Sequence, residues 1–139
     1  MISTELARRL REAGLRWHPV SGDAFRIDSA EFDSDVFTVS EMTIEAHEFD
    51  TGTILGFNGT TEWALDSVAI ERALWLPREE QLRERLGAGF VSLTRSADGR
   101  YRVLTAHEGR EAAFDAGDPA QAYALALLAL ILDVTSPLV

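Results

Sequence analysis

The sequence predicts an α+β fold: antiparallel sheet with an N-terminal helix, a middle helix and a long apolar C-terminal helix packed on it. Three observations predict it. Residues 42–47 alternate apolar and polar side chains, as half-buried strands do. Asn58-Gly59 and Asp98-Gly99 lie between short apolar runs and favour hairpin turns. Residues 122–132 are apolar without interruption, which is typical of a buried helix. The 139 residues, 46% of them hydrophobic, are expected to form one domain, 1–139.

The first half reads as one helix followed by strands. Ser3 is a suitable N-cap, and Gly14 stands where a left-handed residue ends a helix in a Schellman motif. Residues 24–28 form a short predicted strand. Alternation and turn residues over 36–66 then predict an antiparallel meander.

The second half changes from strands to mixed elements. Pro77 fits the first position of a helix that ends near Leu86, before a glycine. Asp118 and Pro119 fit the N-cap and first position of the last helix, and Gln121 suits a capping box. Between these helices, three strands are predicted at 90–95, 101–105 and 110–115.

The last helix is apolar on every side, so both of its faces need cover. Its apolar run is about half the length of a membrane span, which argues against a transmembrane helix. One face is expected to pack on the sheet, through Leu125, Leu128 and Leu132. The other face is covered by another element of this chain or by a second subunit. The second alternative predicts a homodimer interface at Tyr123, Leu127, Leu130 and Ile131.

Charge is distributed unevenly along the chain. The net charge is −10, and residues 23–66 alone hold eleven acids and one base, Arg26, while the remainder balances. This negative charge disfavours binding to nucleic acids and to anionic membranes, because binding to either requires basic residues on the protein. The acidic segment indicates either a face for a basic protein partner or a solvated surface that keeps the protein soluble. The candidate binding residues are Trp17, Glu41, Glu45 and Glu48.

The residue types that the sequence lacks exclude several kinds of functional site. The chain has no cysteine, which excludes disulfides, thiolate metal sites and a cysteine nucleophile. All thirteen basic residues are arginine, so a P-loop lysine and a Schiff base are excluded as well. The three histidines form no zinc-binding pattern, and no nucleophile elbow occurs. We therefore expect no metal and no cofactor, and the lack of a leader before the first helix predicts a cytoplasmic protein.

Three functional hypotheses follow. The first is a non-catalytic protein-interaction or accessory module, with the acidic segment as its binding face. The second is a small-ligand or enzymatic pocket near the aromatic residues, with His47, Glu62 and Arg72 as candidate groups. The third is a phage- or toxin-related antagonist whose carboxylates imitate the phosphates of nucleic acid.

Two segments carry a family resemblance: Phe57-Asn58-Gly59-Thr60-Thr61-Glu62-Trp63-Ala64-Leu65-Asp66-Ser67-Val68 and Ala73-Leu74-Trp75-Leu76-Pro77-Arg78-Glu79. Here the chain resembles a family of small actinobacterial proteins of unknown function, and the resemblance extends over nearly the whole length. Many members carry the label "pilus assembly protein CpaE", which implies a link with pilus assembly. The genuine CpaE is a much larger MinD-like ATPase. This chain has no Walker lysine, so the resemblance does not carry ATPase activity to it.

Overall fold

The computed structural model describes residues 1–29, 35–40, 44–57 and 67–135. The chain divides into two compact units. The strand unit is Arg16–Leu76, and the helical unit combines Met1–Leu15 with Pro77–Val139. The single domain inferred from chain length stays a prediction. The α+β class with its three helices and antiparallel sheets is confirmed.

The described strands of the strand unit form two antiparallel three-stranded sheets, in the orders β2-β1-β6 and β3-β4-β5. A 3₁₀ turn, Ile70–Arg72, joins β5 to β6. The strands are β1 (Ala24–Ile27), β2 (Phe37–Thr38), β3 (Ile44–Phe49), β4 (Gly52–Phe57), β5 (Ser67–Ala69) and β6 (Ala73–Leu76).

The two sheets share one apolar core. Phe25 on β1 is fully buried, and its ring lies 5.5 Å from the ring of Phe37 on β2. Ile44 and Leu55 contribute from the other sheet, because the inner face of the β3–β4 hairpin turns towards the same cluster. The strand unit therefore buries one face of each sheet against the other, as sandwiches do.

The predicted meander over 36–66 needs one correction. The pairing of β3, β4 and β5 is consecutive, as a meander requires, but β2 pairs with β1. Phe37 stands directly opposite Phe25, so burial of the two rings places β2 in the other sheet. The predicted turn Asn58-Gly59 lies outside the described residues.

The helical unit has three helices and a sheet of order β7-β8-β9 among its described residues. The long third helix contacts β8, β9 and both other helices. Of the helices described, none is both long and apolar enough to cross a membrane. The elements are α1 (Thr4–Ala13), α2 (Glu79–Leu86), β7 (Phe90–Arg95), β8 (Tyr101–His107), β9 (Arg110–Ala116) and α3 (Pro119–Thr135).

The ends of α1 have the predicted geometry. The hydroxyl of Ser3 accepts a hydrogen bond from the backbone N–H of Leu6 at 3.1 Å. Gly14 has a φ of +114°, a conformation that other residues rarely adopt. The N–H of Leu15 donates to the carbonyl of Leu10 at 2.9 Å and completes the Schellman motif.

The caps of the other helices differ from the sequence prediction in detail. The carboxylate of Asp118 accepts from the N–H of Gln121 at 2.9 Å, so Asp118 caps α3 as predicted. The Gln121 amide oxygen instead accepts from the N–H of Ser3 at 3.0 Å, which joins the starts of α1 and α3. Helix α2 begins at Glu79 rather than Pro77, because Gln81 caps the N–H of Arg78 at 2.9 Å.

Candidate functional site

Strand β3 is an edge strand among the described strands of its sheet. The Ile44 carbonyl accepts from the N–H of Ser40 at 2.7 Å, so it points away from β4. In an antiparallel strand, the N–H and C=O groups of successive residues point alternately towards one neighbouring strand and away from it. The N–H and C=O groups of Ala46 and Glu48 therefore point away from β4 as well. Within the described part of the chain, these groups have no hydrogen-bond partner.

The side chains of β3 divide between two faces. Glu45, His47 and Phe49 lie on the outer face, opposite residues of β4. The ring of His47 covers Gly56: a Cβ there would stand 3.1 Å from its Cδ2 and Nε2 atoms. On the inner face, Ala46 packs against the core. A side chain at position 56 would therefore require the imidazole ring of His47 to shift by a few tenths of an ångström.

A groove of about 330 Å³ runs beside the first half of β3. Glu45 and Ala46 form one wall, and Pro19, Val20 and Val39 contribute to the other. Val20 is 57% exposed. Phe49, at the far end of β3, is 59% exposed. The edge of β3 thus combines open backbone groups with apolar surface.

Negative charge borders this edge. Glu48 and Asp50 are exposed, and Glu45 is partly exposed with its Oε2 atom 3.7 Å from Nε2 of His47. Glu45 and Glu48 lie three residues apart and so face opposite sides of the sheet. Glu41, the third predicted acidic binding residue, lies outside the described residues.

Trp17 is half-buried and belongs to the packing of the strand unit. Its ring stacks on Trp75 with centroids 6.4 Å apart and lies 5.4 Å from Phe25. Its indole N–H donates to a carboxylate oxygen of Asp23 at 3.0 Å. The structure thus places this predicted binding residue against the core, while Glu45 and Glu48 lie on the edge strand.

Asp23 was not singled out from the sequence, although it is almost wholly buried at 1% exposure. The same carboxylate oxygen also accepts from the N–H of Val20 at 3.1 Å. Asp23 therefore holds the loop that contains Pro19 and Val20, and this loop forms one wall of the β3 groove. Its position in the turn Ser21-Gly22-Asp23 was the available signal, since aspartate often accepts hydrogen bonds from turn backbone.

The two alternative pocket residues that the structure describes lie on different elements. His47 lies on the outer face of β3, and Arg72 is exposed on the 3₁₀ turn before β6. Neither residue lines the β3 groove. Glu62 lies outside the described residues. A catalytic pocket built on these three groups has no geometric support in the parts described.

The predicted interface residues of α3 separate into two pairs. Tyr123 and Leu127 are 1% and 2% exposed, and the Tyr123 ring lies 5.6 Å from Phe90 of β7. The chain therefore covers these two residues itself, and they cannot meet a second copy. Leu130 and Ile131 are half-buried. Leu132, predicted to pack on the sheet, is 45% exposed. Self-association through this end of α3 stays a prediction.

The helical unit contains a cavity of about 290 Å³ between α3 and the sheet. Its walls are mostly apolar and include Leu86, Phe114 and Leu130. Small residues leave the space open: Gly89, Ala112, Ala126 and Ala129. Arg110 from β9 and Asp133 from α3 also line the cavity, together with His107. An apolar interior with a few polar groups is typical of small-molecule sites.

The sheet of the helical unit carries one well-formed ion pair. Arg102 and Asp115 stand opposite each other on β8 and β9, with Nε–Oδ1 and Nη2–Oδ2 distances of 2.7 and 3.0 Å. The hydrogen bonds from Arg102 hold the pKa of Asp115 below its ordinary value of 3.8, and Arg100 adds a smaller lowering by its charge. The pair is a bidentate clamp between two strands.

We expect Arg102→Gln to raise the pKa of Asp115 towards 3.8, because the larger cause of its lowering is lost. A lowered pKa stabilises the fold at pH values above the unfolded pKa, and this contribution is lost as pH falls through the folded pKa. Carboxyl carbon shifts in an NMR pH titration measure the change. Arg100→Gln is the matched control, with a smaller rise expected; an unchanged titration in Arg102→Gln contradicts the assignment.

Among the described residues, no three histidine, aspartate or glutamate side chains are grouped so that they could hold a metal ion. The resemblance drawn from residues 57–68 and 73–79 stays a resemblance. No family model, no curated protein and no solved structure matches this chain.

Proposed function

We propose that this chain is a protein-interaction module that binds a basic, extended segment of a partner protein along strand β3. The observation that carries the proposal is the open backbone edge at Ala46 and Glu48, bordered by acidic side chains. An extended peptide pairs readily with such an edge, because its own N–H and C=O groups have the same spacing.

The backbone supplies the affinity of this mode and the side chains supply its register. The partner strand pairs with the outward groups of Ala46 and Glu48. The outward backbone groups of Ile44 are already hydrogen-bonded to Ser40. The part of β3 that can pair with a partner strand is therefore about residues 45–49. Five residues match a common strand length.

The side chains of β3 define the sequence of an antiparallel partner. Positions opposite Glu45 and Glu48 favour arginine or lysine, and these positions lie three residues apart. The position opposite Phe49 favours an apolar side chain. The position opposite Ala46 points towards the groove beside Val20 and Val39, and it also favours an apolar one. The proposed ligand pattern is therefore apolar-basic-any-apolar-basic.

Charge supports the same ligand class. Residues 23–66 carry a net charge of −10, so the long-range field attracts a basic segment before contact forms. The Debye length falls from about 10 Å to about 3 Å between 0.1 M and 1 M salt. Binding should therefore weaken with salt, whereas the backbone contribution should persist.

We expect an acetylated, amidated peptide containing Val-Arg-Thr-Val-Arg to bind the full chain. The double variant Glu45→Gln with Glu48→Gln should weaken binding about two- to thirtyfold, since each exposed ion pair contributes about 0.2–1 kcal/mol. Isothermal calorimetry measures the affinity. Glu79→Gln with Glu84→Gln removes two exposed acids from α2 and should leave the affinity unchanged.

Ala46→Pro tests the backbone contribution separately. Proline removes an N–H that points away from β4, so the ladder inside the sheet keeps its bonds while the partner strand loses one. Circular dichroism verifies that the variant is folded. A scrambled peptide that binds as tightly as the designed one would refute the proposed register. Equal affinity of the acid and α2 variants would refute the site.

A further inference from the structure

We propose that the cavity of the helical unit is a binding site for a small zwitterion with an apolar tail, such as a free aliphatic α-amino acid. This site lies within Pro77–Val139 and is independent of the β3 edge. Its volume of about 290 Å³ stands at the lower end of the roughly 300–1,000 Å³ typical of ligand pockets. That size admits a free amino acid.

The interior favours an aliphatic group. Leu86, Phe114 and Leu130 supply apolar walls from α2, β9 and α3. The space exists because the residues between them are small, notably Ala112 and Ala126. Burying a branched aliphatic tail there favours binding, because it removes apolar surface from water.

Charged groups stand on two walls of the cavity. Arg110 belongs to the sheet wall and Asp133 to the helix wall. Within the described residues, neither side chain forms a hydrogen bond or ion pair. A ligand carboxylate pairs with the guanidinium of Arg110, and a ligand ammonium pairs with the carboxylate of Asp133.

Neighbouring charges disfavour a simple anion. Glu111 and Asp133 both line the cavity, so its carboxylates outnumber the one guanidinium, that of Arg110. The Nε2 atom of His107 lies 3.8 Å from Oε1 of Glu108, so a protonated His107 has a carboxylate beside it already. A ligand with both charges pairs with Arg110 and with Asp133, whereas a monocarboxylate leaves Asp133 without an ammonium partner.

The probes are L-leucine, 4-methylpentanoate, 3-methylbutylamine and glycine, each titrated into the full chain and followed by amide NMR shifts. We expect leucine to shift the amides of Gly89, Ala112 and Ala126 in a saturable way. The acid, which lacks the ammonium, and the amine, which lacks the carboxylate, should each bind about tenfold or more weakly. Glycine, without the apolar tail, should produce no saturable shift.

Substitutions assign the two charges. Arg110→Gln should weaken leucine about tenfold and leave the amine unchanged, while Asp133→Asn should weaken leucine and leave the acid unchanged. Both residues are exposed, so neither change threatens the fold. Ala112→Leu should fill the cavity and abolish binding, and Ala113→Leu, its neighbour on the opposite face of β9, should not.

Three outcomes overturn the proposal. Leucine fails to shift the cavity amides; or its shifts persist unchanged in both Arg110→Gln and Asp133→Asn; or 4-methylpentanoate binds as tightly as leucine, which would make the site an anion site. Because Val-Arg-Thr-Val-Arg binding depends on Glu45 and Glu48, each proposal can fail without the other.

Discussion

Phe25→Ala is expected to lower the free energy of unfolding by about 3–5 kcal/mol, the usual cost of truncating a buried phenylalanine. Phe25 is fully buried on the central strand β1. Its ring lies 5.4 Å from Trp17 and 5.5 Å from Phe37, so the substitution opens a cavity where three rings meet. Domains unfold with about 5–15 kcal/mol in total, so this loss is a large fraction.

Urea unfolding followed by tryptophan emission measures this loss directly. Trp17 and Trp75 pack in the strand unit, and the third tryptophan of the sequence falls within the range 16–76 of that unit, so tryptophan emission reports on it. Phe49→Ala is the matched control, because Phe49 is 59% exposed and its truncation should cost less than about 0.5 kcal/mol. Equal losses from the two substitutions would contradict the described core.

Leu82→Ala provides the complementary change in the helical unit. Leu82 is fully buried on α2, and its truncation should cost about 2–5 kcal/mol. Far-ultraviolet circular dichroism follows both units, whereas tryptophan emission follows only one. If the chain is one cooperative domain, Leu82→Ala shifts both transitions together. If only the circular dichroism transition shifts, the single-domain prediction is wrong.

Asp23→Ala is expected to cost about 2–4 kcal/mol, since each buried donor left without a partner costs about 1–3 kcal/mol. Two donors lose their acceptor: the indole N–H of Trp17 and the backbone N–H of Val20. The side chain of Asp23 is 1% exposed, so water replaces it poorly. The effect comes from unsatisfied polar groups, whereas that of Phe25→Ala comes from lost apolar contact.

Asp23→Asn separates the acceptor from its charge. Asparagine keeps one carbonyl oxygen, and the oxygen that accepts both bonds is a single atom, Oδ2. This variant should therefore lose less stability than Asp23→Ala in the same urea titration. Asp35→Ala, an exposed carboxylate in the same unit, should cost less than about 0.5 kcal/mol. A loss below about 1 kcal/mol in Asp23→Ala would show that the loop does not depend on this carboxylate.

Elements whose signals are local were predicted from the sequence with small errors. Helix α1 depends on Ser3 and Gly14, which act within one turn of their own positions. The strands β7, β8 and β9 follow the predicted ranges closely, because alternation and the turns between them are properties of neighbouring residues. The predicted start of α2 at Pro77 is two residues too early. The side chain of Gln81 accepts a hydrogen bond from the N–H of Arg78, which makes Arg78 the N-cap and Glu79 the first helical residue.

Local sequence patterns do not predict which distant segments pair with each other. Strand β1 pairs with β6 some fifty residues later, in the register Phe25↔Trp75. Nothing in residues 73–76 distinguishes an edge partner of β1 from any other apolar run. Likewise, strands β1 to β6 separate α1 from the rest of the helical unit in the sequence. Helix α1 still belongs to that unit, because it packs against α3. These choices depend on which apolar faces can be buried together.

The candidate site shows the same division. Composition located the acidic segment, and the alternation over residues 42–47 predicted that Glu45 lies on a strand. Whether that strand was central or at an edge depended on its neighbours in space, and therefore on the order β3-β4-β5. The cavity beside Ala112 and Ala126 had no sequence signal, since small residues create space only when α3 lies over the sheet.

By itself, the sequence determined the α+β class, most helix and strand ranges and the acidic character of residues 23–66, because these follow from composition and from contacts within a few residues. The tertiary structure alone decided that Tyr123 and Leu127 are covered by this chain, that Asp23 is buried, and that β3 stands at the edge of its sheet among the described strands. The physical reason is that burial and pairing are properties of surfaces brought together by folding, and one strand or helix does not specify which surface it will meet.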